Sequence, residues 1–141
     1  MINYDEILNQ LKIDIIRNDD LTNICNLTKE NAKISRKLGK SIEKKIIKLV
    51  NSKEGIEKYK LWLQADDIQL KWSAALNLFP LFPNECLDVL TDCKNNCSDT
   101  LKKSSMNDVI TNYQKGLNSN NIFIQRLKKI YKTDDLNFYD K

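Results

Sequence analysis

Apolar residues recur along this chain at helical spacing, and no segment alternates at the two-residue period of a strand. Ile7, Leu8, Leu11 and Ile15 begin the pattern. Asn3 followed by Glu6 is a loose capping box, and Asp5 and Glu6 suit the positive end of a helix dipole. A first helix is therefore predicted from Asn3 to a turn at Asn18-Asp19-Asp20. A long helix is predicted from Leu21 to Asn51, because Leu27, Ile34, Leu38, Ile42, Ile46 and Leu49 form one apolar stripe. Gly39 sits inside it and costs about 1 kcal/mol relative to alanine, so the helix either runs through or bends there. Ile56, Tyr59, Leu61 and Leu63 predict a short helix that ends at Gln64-Ala65.

Asp66-Asp67 is a strong N-cap signal. The helix it opens carries Leu70, Ala74 and Leu78 on one face, with Trp72, Leu76 and Phe79 on a neighbouring one, and Pro80 stops it. Pro83-Asn84-Glu85 starts another helix, which runs through Leu87, Val89 and Leu90 to Cys93. Asn95 to Thr100 reads as a polar loop. Ser105 with Asp108 opens a further helix, and Gly116 closes it as the first residue beyond its end. After a turn at Asn118–Asn121, Ile122, Phe123, Leu127, Ile130 and Tyr131 form a last amphipathic helix. The prediction is an all-α fold of six to seven helices, one domain over residues 1–132, with a loose tail over 133–141.

Only three glycines and two prolines interrupt the 141 residues, in keeping with long helices and short loops. A chain of that length buries a core without a metal or disulfide staple. Lys, Asn and Ile are abundant, a hint of an AT-rich bacterial gene. No run of eighteen apolar residues predicts a membrane span, and the N-terminus lacks the basic and apolar regions of a secretory signal. A cytoplasmic location is expected. Cys25, Cys86, Cys93 and Cys97 do not take zinc-ribbon spacing, and the absence of histidine leaves no mixed site, so no metal or cofactor is expected. Cys86, Cys93 and Cys97, seven and four apart, stack on one helical face if the helix runs that far. They are read as reduced, small core residues; the alternative is a Cys93–Cys97 disulfide, which a reducing cytoplasm disfavours.

Asp67-Ile68-Gln69-Leu70-Lys71-Trp72-Ser73-Ala74-Ala75-Leu76 resembles the second half of a HEAT-type repeat: an acidic cap, an aliphatic residue, a basic residue and a small pair. With Pro83–Leu90 it resembles a family of small bacterial HEAT-like proteins of unknown function. The match covers Leu61 to Leu90; Leu21 to Ser52 matches in helical length and polarity alone, and Val109 to Gly116 loosely. Lys71 stands where many such repeats have Arg, and no proline precedes Asp67. One repeat is present where a solenoid needs about three. The resemblance thus implies a HEAT-like α-α superhelical bundle with irregular repeats. Ala74 and Ala75 would let helices approach closely, and Lys71 would reach back to Asp66 and Asp67.

Candidate chemistry is sparse. Without histidine the commonest general base is missing. The glycines are isolated, so no phosphate loop exists, and Asp66-Asp67 is explained as a cap and its neighbour. The chain is expected not to be an enzyme. Lys29, Lys33, Arg36, Lys40, Lys44 and Lys48 form a second stripe on the long helix, about 200° round from the apolar one. They are either a solvated face or a landing surface for acidic protein or for nucleic-acid phosphate. Lysine gives no bidentate forks, the net charge of +4 is small for a nucleic-acid binder, and no aromatic lies within the stripe. Trp72 is expected in the core. Trp62, between Leu61 and Leu63, is the tryptophan expected to reach the surface and anchor a partner. The leading expectation is a non-enzymatic protein-binding module, more narrowly an immunity protein or antitoxin that occludes a toxin. The alternative is nucleic-acid binding through the basic face of the 21–51 helix.

Overall fold

The computed structural model describes residues 2–22 and 28–136. Among them the regular structure is helical throughout: α1 (Tyr4–Thr22), α2 (Lys29–Val50), α3 (Lys53–Lys60), a 3₁₀ turn (Leu61–Gln64), α4 (Ile68–Leu78), α5 (Pro83–Asn95), α6 (Thr100–Gln114) and α7 (Ile122–Tyr131). They fall into two compact units, one ending at Tyr59 and the other beginning at Lys60.

In the first unit α1 and α2 pack as an antiparallel pair. Leu8 and Leu11 of α1 and Ile46, Leu49 and Val50 of α2 are buried, whereas Ile34, Leu38 and Ile42 are half-buried. The apolar stripe is therefore closed at one end of α2 and partly open at the other. Polar ties supplement it: Asp14 accepts from Lys45 Nζ at 2.7 Å and from Ser41 Oγ at 3.3 Å, and Asn18 Oδ1 accepts from Ser35 Oγ at 2.6 Å. The Asn3 cap forms, its side chain accepting from the Glu6 amide at 3.1 Å. The turn predicted at Asn18-Asp19-Asp20 does not. α1 continues to Thr22, whose hydroxyl donates to the carbonyls of Asn18 and Asp19 at 3.0 and 3.1 Å. The bond from Ser35 holds Asn18 in the helix, so a tertiary contact overrides a local turn preference. α2 begins at Lys29 behind an N-cap at Thr28, later than the predicted start at Leu21, and runs unbroken past Gly39. Cys25 and Leu27 lie outside the described residues. Gly55 is required for closeness: a Cβ there would lie 2.4 Å from the Leu49 carbonyl oxygen. Lys58 of α3 donates to Asp5 at 2.8 Å, a bond that raises the pKa of Lys58.

The second unit is built round α4. Asp67 caps it, accepting from the amides of Gln69 and Leu70 at 2.8 and 3.4 Å. Ala74 and Ala75 are fully buried, and α4 packs on both the 3₁₀ turn and α5. Among the described residues no ion pair joins Lys71 to Asp66 or Asp67, against expectation. Trp72 is half-buried rather than in the core.

Pro80 does more than stop α4. Its missing N–H leaves the Leu76 carbonyl without its helical donor, and the Tyr113 hydroxyl takes that place at 2.9 Å. The Leu81 amide turns to Leu78 at 3.0 Å instead of to Asn77. The Asn77 carbonyl is then met by the Tyr131 hydroxyl. Two phenols, from α6 and α7, thus replace two backbone donors lost at one proline. The Asn77 side chain, 2% exposed, extends the network: it donates to the Ser73 carbonyl and accepts from Arg126, both at 2.8 Å. Phe79 stacks on Tyr113 with ring centres 4.6 Å apart, and Phe123 meets the same ring edge-on at 6.4 Å.

The remaining boundaries follow from caps. α6 starts at Thr100, earlier than the predicted Ser105, because Asp99 accepts from the amides of Leu101 and Lys102 at 3.0 and 3.1 Å. Gly116 adopts φ +94 just beyond α6, as its predicted role requires. Asn121 caps α7 through the Phe123 and Ile124 amides, both at 3.1 Å. Beyond α7, Lys132, Asp134 and Asp135 are exposed and Leu136 is buried, within the stretch from Thr133 where looseness was expected; residues 137–141 lie outside the described residues.

Candidate partner-binding face

The cations singled out on α2 are placed as the spacing requires. Lys29, Lys33, Arg36, Lys40, Lys44 and Lys48 are all exposed, opposite the face that carries Ile46 and Leu49. At 1.5 Å per residue they span about 28 Å of helix. Lys37, which the stripe reading passed over, is exposed as well and lies one turn from both Lys33 and Lys40 on the same side. It was legible in the sequence, because it sits on the flank of the same arc. Among the described residues none of these seven takes part in an ion pair, whereas Lys45, nearer the buried face, is held by Asp14.

Charge is segregated along the chain. α2 carries eight cations and two carboxylates, net +6, while the whole chain is net +4, so everything else together is net −2. α1 has five carboxylates against two cations, net −3. The Thr28 side chain occupies the α2 N-terminus, accepting from the Asn31 amide at 3.0 Å. What the helix offers is therefore its side, a row of solvated ammonium groups and one guanidinium, each able to meet a carboxylate or a phosphate oxygen.

Trp62 lies in the second unit and is half-buried. Of the triplet Leu61-Trp62-Leu63 it is Leu61 that projects, 71% exposed, while Leu63 is 3% exposed. The 3₁₀ geometry, which a helical-period reading did not include, decides this. With three residues per turn it separates adjacent side chains by about 120° rather than 100°.

A second cationic cluster surrounds a shallow cavity of about 350 Å³ at the end of α7, lined by Lys128, Lys129, Lys132, Gln125, Thr133 and Asp134. The negative end of the α7 dipole and Asp134 both oppose an anion there.

Two of the three described thiols sit in unreactive surroundings. Cys86 and Cys93 are buried, and desolvation pushes their pKa values up to about 12 and about 11. A neighbouring Lys71 offsets part of the rise at Cys93. Thiols so shifted stay protonated at neutral pH and are poor nucleophiles. Cys97 lies past the end of α5, half-exposed, donating weakly to the Asp99 carbonyl at 3.6 Å. It leaves the face that a longer helix would have given it with Cys86 and Cys93. No group of three potential ligands among the described residues could hold a metal ion, and no described helix is long and apolar enough to cross a membrane.

No protein-family model, curated protein or solved structure matches the chain.

Proposed function

We propose that this protein is a non-enzymatic binding module that takes a protein partner on the outer face of α2, and more narrowly that it is an immunity protein or antitoxin that neutralises a toxin by occlusion. The observation that carries the reading is the row of seven exposed, unpaired cations on a helix whose opposite face is committed to packing. Such a row is unnecessary for folding, since like charges along one face repel by a few tenths of a kcal/mol per pair. Its use is to steer and orient an oppositely charged surface. The α4–α5 hairpin, with its buried Ala74-Ala75 pair and Asp67 cap, supports a HEAT-like reading of the second unit, and HEAT-like surfaces are binding surfaces. Leu61 and Trp62 offer apolar area there for the same or another partner.

The test is co-expression with the product of the adjacent reading frame. A one-to-one complex that protects cells from that product is the expected result, and Lys33→Glu/Lys40→Glu/Lys44→Glu should abolish both. Absence of complex and of protection sinks the proposal. If the same cations instead hold nucleic acid, affinity for a duplex falls steeply with salt, since phosphate contacts release counterions.

A further inference from the structure

We infer, resting on the reading of α2 as the landing face, that the partner presents a narrow acidic ridge about one helix wide. The row runs along one helix for about 28 Å, with lysines repeating mostly at four-residue steps. An acidic helix with carboxylates at three- and four-residue steps repeats at the same spacing, so ammonium and carboxylate groups can meet in register. Arg36, in the middle of the row, supplies the one fork able to hold a carboxylate bidentately.

A duplex is the poorer match: lysine gives no bidentate fork for base edges, Arg36 supplies a single one, and no aromatic lies within the row to stack on bases. The same charge match bears on the proposed toxin. A cleft that binds phosphate is itself cationic, so the surface occluded by this face is not such a cleft.

The test uses the full chain and three labelled probes in fluorescence anisotropy at 20 and 200 mM salt. One is an alanine-based helical peptide of 22 residues with glutamates at three- and four-residue steps along one face. The second has the same composition with the glutamates scattered round the helix, and the third is a DNA duplex. The striped peptide should bind about tenfold more tightly than the scattered one and more tightly than the duplex, with affinity falling as salt rises. Lys33→Glu/Lys40→Glu/Lys44→Glu should remove that binding. Equal binding of the two peptides, tighter binding of the duplex, or no binding of the striped peptide at 20 mM salt overturns the inference while leaving α2 available to a differently shaped partner. A cognate partner that binds the triple variant as well as wild type overturns the landing-face reading too.

Discussion

The α1–α2 pair and the α4–α7 unit are both helical and both all but free of glycine, yet they are held in different ways. In the pair, three of the stripe residues on α2 remain half-buried, and the helices are tied by Asp14, Lys45, Ser41, Asn18 and Ser35. In the α4–α7 unit, Leu78, Cys86, Leu90, Leu127 and Ile130 are fully buried, and a polar network joins buried Asn77 and Tyr113 to half-buried Tyr131. The contrast locates stability in the second unit and an unneutralised charged surface in the first. A helix with a half-open apolar face and a cationic outer face gives up packing for exposure.

That contrast can be broken most forcefully by truncating matched leucines. Leu90→Ala, at a fully buried site, should cost about 3–4 kcal/mol, while Leu38→Ala in the half-buried stripe should cost about 1 kcal/mol. Urea denaturation of both variants checks it, and equal losses would erase the distinction. Next in size is the proline network. Tyr113→Phe should cost about 1–2 kcal/mol by leaving the Leu76 carbonyl unpaired. In a Pro80→Ala background, where residue 80 regains an N–H, the same change should cost clearly less. A double-mutant cycle reads the coupling, and additivity would show that Tyr113 does not substitute for the missing donor.

Alkali should act on the second unit. Cys86 has a folded pKa of about 12 against an ordinary 9.0. The folded state holds the proton longer than the unfolded one, so this contribution is intact below about pH 9 and is lost as pH rises toward 12. Stability measured between pH 8 and 11 should fall less steeply in Cys86→Ala than in wild type; parallel curves would contradict the assignment. The smallest effect belongs to the first unit: Asp14→Asn should cost about 0.5–1 kcal/mol, less at high salt, because its partner Lys45 is partly exposed.

Much of this architecture was legible in the residues. Asp67, Pro80, Pro83, Gly116 and Asn121 mark helix ends by local chemistry alone, and each sits where that chemistry acts. Boundaries set by distant partners were not legible. Asn18-Asp19-Asp20 has turn composition, but Ser35 holds it in helix. Asp99 reads as one polar residue in a polar run until its two amide partners are seen. Leu136 has no periodic neighbours and is nevertheless buried. The cation row was visible from spacing; Lys37 needed the full arc of the helix, and the exposure of Leu61 rather than Trp62 needed the 3₁₀ turn.

The central claim is that the outer face of α2 binds and does not stabilise. Its most direct test is isothermal titration of the adjacent-frame product into wild type and into Lys33→Glu/Lys40→Glu/Lys44→Glu, alongside thermal unfolding of both free proteins. The account predicts a one-to-one isotherm for wild type, a loss of about a hundredfold or more in the variant, and melting temperatures that agree within a few degrees. Unchanged affinity in a normally folded variant would contradict it.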